Sequence, residues 1–115
     1  MIGIDLGSNT IRFIQYSEEK NGFIKEYEAV VRTAENLSST GQISKTATRR
    51  IIQAILEAEK ILDFDTEISA VATAAFRNAK NSLDVIKEIY DKTSIKFTII
   101  SGELEAKLTA LSVTE

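Results

Sequence analysis

Between Ile2 and Tyr16 the chain reads IGIDLGSNTIRFIQY, two apolar runs parted by one short polar stretch. Runs that close together pair as neighbouring antiparallel strands, predicted over residues 2–6 and 11–16. Residues 23–32 then alternate. Phe23, Lys25, Tyr27, Ala29 and Val31 share one face, and Ile24, Glu26, Glu28, Val30 and Arg32 share the other. Asn21-Gly22, a typical turn pair, precedes this third strand. The first third of the chain is therefore committed to a three-stranded meander.

The remainder changes period. After a loop from Thr33 to Ile43, Ser44 is a helix N-cap. The helix behind it carries Ile51, Ile55, Ala58 and Leu62 on one face. Residues 68–73 (ISAVAT) form a short apolar run, as in a buried strand. Asn81 or Ser82 can cap the next helix, with Leu83, Ile86, Ile89 and Tyr90 as its face. Residues 95–100 (IKFTII) are the fifth strand. Ser101-Gly102 opens a last helix in which Leu104, Leu108 and Leu111 share the core side. The order is βββαβαβα. Helical crossovers make the later strands parallel, and the predicted fold is an α/β, ribonuclease-H-like half-domain with a mixed five-stranded sheet.

Composition limits the chemistry. The 115 residues suit one domain or a piece of one, and the net charge of −3 disfavours nucleic acid or an anionic membrane as partner. No apolar run approaches the roughly 18 residues of a membrane span. No basic-then-apolar signal segment opens the chain, so a cytoplasmic location is expected. Cys and His are absent, which removes thiol chemistry, typical zinc sites and any Ser-His or Cys-His machinery within this chain. Oxygen ligands remain, and they suit a hard cation such as Mg2+.

Three polar clusters could carry chemistry. In Asp5-Leu6-Gly7-Ser8-Asn9-Thr10, Gly7 permits a tight turn and close approach of a ligand. Successive backbone N–H groups there can cradle an anion, and Ser8, Asn9 and Thr10 add side-chain donors. Asp5 repels a phosphate unless a metal or its water intervenes, so a metal–phosphate site accounts for the carboxylate as well as the donors. An ordinary hairpin with Asx-type hydrogen bonds is the plainer alternative. In residues 72–81 (ATAAFRNAKN), just past the fourth strand, Arg77 could grip a phosphate with its planar fork. Asn81 could reach the same ligand or cap the helix. In residues 100–108 (ISGELEAKL), Glu103 and Glu105 follow the fifth strand. A carboxylate there can deprotonate a water, or simply favour the first turn of a helix. In the predicted fold all three clusters converge on one edge of the sheet.

Together, IDLGSNTIRFI (4–14), VRTAENLSSTGQIS (31–44), AVATAAFRNAKNS (70–82) and IISGELEAKL (99–108) resemble the amino-terminal part of the exopolyphosphatase / guanosine pentaphosphate phosphohydrolase (Ppx/GppA) family, within the actin-like and sugar-kinase-like ATPase superfamily. The resemblance covers the whole chain. It implies cleavage of the terminal phosphate from inorganic polyphosphate, or of the 5′ γ-phosphate from guanosine pentaphosphate, with Mg2+ as cofactor. It further implies that Asp5 to Thr10 is the first phosphate loop, with Asp5 on the metal side and Gly7, Ser8, Asn9 and Thr10 on the phosphate. By the same resemblance Arg77 contacts the phosphate chain and Glu105 activates the water. Leu104 stands where family members often carry a second acid. The family's second loop, of the type Asp-x-Gly-Gly-Gly-Ser, has no counterpart here. The expectation is thus one lobe of a two-lobed enzyme, truncated before that loop and inactive alone, the full-length protein being a homodimer. A non-catalytic phosphate- or nucleotide-binding module is the competing reading. A sugar kinase or actin-like ATPase is a third, against which the Arg77 and Glu105 segments weigh.

Overall fold

A computed structural model of the chain describes residues 1–17 and 22–107. Five strands form one sheet: β1 (Ile2–Leu6), β2 (Thr10–Ser17), β3 (Gly22–Val30), β4 (Ile68–Ala72) and β5 (Thr98–Ile99). Their order across the sheet is β3-β2-β1-β4-β5. β1–β2 and β2–β3 are antiparallel, whereas β1–β4 and β4–β5 are parallel. This is the mixed sheet that the meander and the crossovers predict.

The pleat decides which side of the sheet is covered. Ile2, Ile4 and Leu6 of β1, Ile11 and Phe13 of β2, and Ala70 and Ala72 of β4 point to one face and are buried. Their partners are α2 (Lys45–Glu59) and α4 (Ser82–Thr93), which also pack on each other. Ile51, Ile55 and Ala58 of α2 join Ile86 and Ile89 of α4 in that core. The other pleat positions of β1 and β2, Asp5 and Arg12, are exposed and face each other in register. Asp5 therefore lies on the side of the sheet away from the helices.

Ser44 caps α2 as expected, its hydroxyl accepting the Ala47 N–H at 3.0 Å. The α2 stripe also holds, with Leu62 buried just beyond the helix end. Two short helices are additions to the predicted order: α1 (Leu37–Thr40) and α3 (Ala74–Asn78). Asn36 and Gly41, both left-handed, bracket α1.

Other expectations are corrected. The buried side of α4 is Ser82, Val85, Ile86, Ile89 and Thr93, while Leu83 and Tyr90 are exposed. Two hydroxyl residues take core positions there because each is satisfied by a backbone carbonyl. Ser82 donates to Phe76 and Ala79, and Thr93 donates to Ile89 at 2.7 Å. The fifth strand shrinks from 95–100 to Thr98–Ile99. Ile95, Phe97 and Ile100 are buried as its apolar pattern demands, but β4 offers ladder partners only at Val71 and Ala72 before the chain turns into α3. Asn81 sits at the start of α4 without a side-chain cap bond. Residues 102–107 are helical, but Leu104 is exposed rather than on the core side. Residues 101–104 all lie in solvent, so this helix leaves the core at Ile100. Leu108 and Leu111 lie outside the described residues.

Candidate active site

The turn between β1 and β2 is held from outside by the chain that follows β3. The Ala34 N–H donates to the Ser8 carbonyl, and the Val31 and Arg32 N–H groups both donate to the Asn9 carbonyl, each at 2.9 Å. Arg32 reaches this position with a φ of 51°. Within the turn the Gly7 N–H closes on the Thr10 carbonyl at 2.9 Å. The Ser8, Asn9 and Thr10 carbonyls are thus occupied. The backbone N–H groups of Ser8 and Asn9, and the side chains of Ser8, Asn9 and Thr10, make no hydrogen bond to another described residue.

Gly7 is not required by a tight turn. Its φ is not in the left-handed region, and a Cβ placed on it would meet the Thr10 carbonyl oxygen at 3.6 Å and the Thr73 Oγ1 at 3.9 Å, ordinary contacts. What remains of the sequence argument for glycine is access: without a side chain, a ligand can approach the backbone.

Beyond β4, Thr73 joins this turn to the segment carrying Arg77. Its N–H and its hydroxyl both donate to the Leu6 carbonyl, at 3.1 and 3.3 Å. Its own carbonyl accepts the N–H groups of Phe76 and Arg77. Arg77 then spans to the next strand end. Its Nη1 donates to the Ile100 carbonyl at 2.7 Å and its Nη2 to Glu105 Oε1 at 3.1 Å. A Cβ on Gly102 would lie 3.9 Å from Nη2, an ordinary contact, so the guanidinium does not require glycine there.

The electrostatics tie Asp5 to the same place. Its carboxyl is raised above the ordinary Asp value, first by partial desolvation among its neighbours and then by the negative charge of Glu105. Arg12, across the β1–β2 ladder, opposes the shift. Asp5 and Glu105 thus sense each other electrostatically, and among the described residues no group of three acidic, His or Cys side chains could hold a metal ion. A lone carboxylate such as Asp5 suits only a cation that keeps several waters and takes one or two carboxylates plus phosphate oxygens, as Mg2+ does.

The fold therefore brings Asp5, Arg77 and Glu105 to the carboxyl end of the parallel strands, beside the turn. It does not bring the Asn81 amide there as a free group. The Asn81 Oδ1 accepts the Ile43 N–H and its Nδ2 donates to the Ile43 carbonyl, both at 2.9 Å. Sequence reasoning passed over Thr73 and the backbone clasp of residues 31–34. A polar β-branched residue ending the apolar run ISAVA was the available signal for Thr73. The clasp consists of main-chain bonds and leaves no residue-type signature.

Comparison with known proteins places the fold and the sequence in one family. Residues 15–115 match the model of the Ppx/GppA phosphatase family. Exopolyphosphatase 1 of Mycobacterium tuberculosis is 33% identical over 115 residues, covering 96% of this chain and 33% of the relative. The chain thus spans about a third of the length of the curated relatives it matches. The crystal structure of the Aquifex aeolicus Ppx/GppA family member superposes with a TM-score of 0.79 at 28% identity, over 90% of this chain and 35% of that one. The fold is shared too with an exopolyphosphatase structure from Cytophaga hutchinsonii, at a TM-score of 0.82 and 23% identity over 93% of this chain and 36% of that one. With the family model matching most of its length, this chain belongs to the Ppx/GppA phosphatase family.

Proposed function

We propose that this chain supplies one wall of the active site of a phosphoanhydride hydrolase that removes the terminal phosphate from inorganic polyphosphate or the 5′ γ-phosphate from guanosine pentaphosphate. The observation that carries the reading is the Arg77–Glu105 contact at 3.1 Å, at the same sheet end as a turn whose Ser8 and Asn9 amides bond to no other described residue. In this reading the Ser8 and Asn9 amides and the side chains of Ser8, Asn9 and Thr10 hold phosphate oxygens, and Arg77 neutralises their charge. Glu105 takes a proton from a water. The water oxygen bonds to the terminal phosphorus as the bridging P–O bond breaks, and the electron pair leaves with the shortened chain. Asp5 would hold Mg2+, which when bound supplies further neutralisation of phosphate charge. Asn81 serves from a distance, by fixing the loop at Ile43.

The second wall belongs to the rest of a longer, homodimeric, cytoplasmic protein, so the isolated lobe hydrolyses little. In the full-length protein, Glu105→Gln should cut phosphate release from polyphosphate by orders of magnitude while binding persists. Unchanged turnover refutes the assignment. Leu104, in place of a second acid, favours a second reading, a binding module without turnover. Calorimetry with polyphosphate and with guanosine nucleotides separates the two: binding lost in Arg77→Ala, with no hydrolysis by the full-length wild type, selects the module.

A further inference from the structure

We propose that Thr73 is a positioning residue for this site, registering the phosphate turn against the helix that carries Arg77. The inference rests on the hydrolase reading above and goes beyond it, because that reading gives Thr73 no role, although Thr73 lies in the 72–81 stretch that carries Arg77.

The argument begins with an unusual use of a hydroxyl. Thr73 is the N-cap residue of α3, the place where a Thr side chain ordinarily accepts a backbone N–H from the first turn. It makes no such cap bond. Its Oγ1 turns back across the sheet and donates to the Leu6 carbonyl, which the Thr73 N–H already satisfies. The second bond is not needed to pair a buried carbonyl. What it adds is direction: two donors from one residue fix the Leu6 peptide in orientation as well as in distance. Leu6 is the last residue of β1, and the next residue is Gly7, the first of the turn. Thr73 is 4% exposed, so water does not compete for the bond.

The other side of Thr73 faces the chemistry. Its carbonyl receives the N–H of Arg77 at 3.2 Å, and the Arg77 side chain holds Glu105 and the Ile100 carbonyl. A continuous hydrogen-bonded path therefore runs from the phosphate turn through Thr73 to Arg77 and Glu105. Phosphoryl transfer depends on relative placement, and a misplacement of about 1 Å can cost on the order of 100-fold in rate. Loss of the hydroxyl leaves the Thr73 N–H bond, the clasp of residues 31–34 and the fold, but removes the second constraint on the orientation of the Leu6 peptide, where the turn meets the sheet.

The test compares Thr73→Val, which keeps the branched shape, with Thr73→Ser, which keeps the hydroxyl, in the full-length protein with inorganic tripolyphosphate. Thr73→Val should lower kcat/KM about tenfold or more, with kcat carrying the larger part. Thr73→Ser should stay within about threefold of wild type. If the valine variant does not fold, Thr73→Ala is read against the same thresholds. A Val or Ala variant within threefold of wild type overturns the proposal, and so does a Ser variant as impaired as Val. Arg77→Ala and Glu105→Gln are measured alongside. Loss of turnover in these two with a normal Thr73→Val refutes only the role of Thr73. Full turnover in these two, or none in the wild type, refutes the hydrolase reading and this inference with it.

Discussion

The two edges of the sheet are built differently. At one edge β3 runs for nine residues and pairs with β2 from Val30 to Gly22, interrupted only by an irregularity at Gln15/Tyr16. At the other edge β5 pairs with β4 at two positions. The turn proposed to bind phosphate belongs to the first half. Its strands are laddered, and residues 31–34 clasp it from outside. Glu105 belongs to the second half, where Ile100 N–H to the Ala72 carbonyl and the Arg77 side chain extend a minimal ladder. Backbone bonds therefore fix the group proposed to bind phosphate, whereas a side chain holds the group proposed to act on water. A receiving surface gains from rigidity. A proton acceptor whose partner is also the phosphate ligand must be able to change partner.

The largest effect should come from breaking the strong half. Phe13 is fully buried on β2 and stacks at a tilt against Tyr27 and Phe64. Phe13→Ala should cost about 3–5 kcal/mol, read as a drop in the denaturant midpoint, with Phe13→Leu well below that. Next is the join between the loop before α2 and the start of α4. Asn81→Ala strips both bonds to Ile43 and should cost about 1–3 kcal/mol, with faster amide exchange at Ile43. A variant as stable as wild type would show that the neighbouring Lys80 N–H to Gly41 carbonyl bond suffices.

A smaller change tests the weak half directly. The Arg77–Glu105 pair is partly open to solvent, so Arg77→Ala should cost only about 0.5–1 kcal/mol globally. Exchange at Ile100 should nevertheless quicken while the β1–β2 amides keep their protection. Uniform loosening of both halves would erase the contrast drawn above.

The smallest effect has a pH signature. Asp5 is raised in the folded chain, so the folded state binds more protons than the unfolded one between the ordinary value and the raised one. Its ionisation accordingly weakens the fold as pH rises through that window. Asp5→Asn should raise Tm at pH 7 slightly, by roughly 1–3 °C, and the gain should vanish as pH falls towards 3.8. A loss of stability at neutral pH would contradict the shift.

Much of this was legible in the sequence because periodicity and side-chain type agree there. The α2 stripe of Ile51, Ile55 and Ala58 is apolar and buried, with Thr48 the one hydroxyl beside it, and β1 and β2 alternate from Ile2 to Leu6 and from Ile11 to Phe13. The α4 stripe was misread because Ser82 and Thr93 occupy core positions, which a count of apolar residues assigns to solvent. β5 was overextended for a related reason: burial of Ile95 and Phe97 produces a strand-like pattern without ladder bonds. At the site, Arg77 and Glu105 were legible as charged groups past strand ends. Thr73 was not, because its role depends on which carbonyl its hydroxyl faces.

The clasp on the turn has one more consequence. A trans peptide points its C=O and the following N–H in opposite directions. By holding the Ser8 carbonyl, the Ala34 amide also aims the Asn9 N–H the other way. The local dipole is therefore set during folding. An arriving anion meets an oriented positive end and need not reorganise the chain, so the entropy of ordering that donor is spent before any ligand is present.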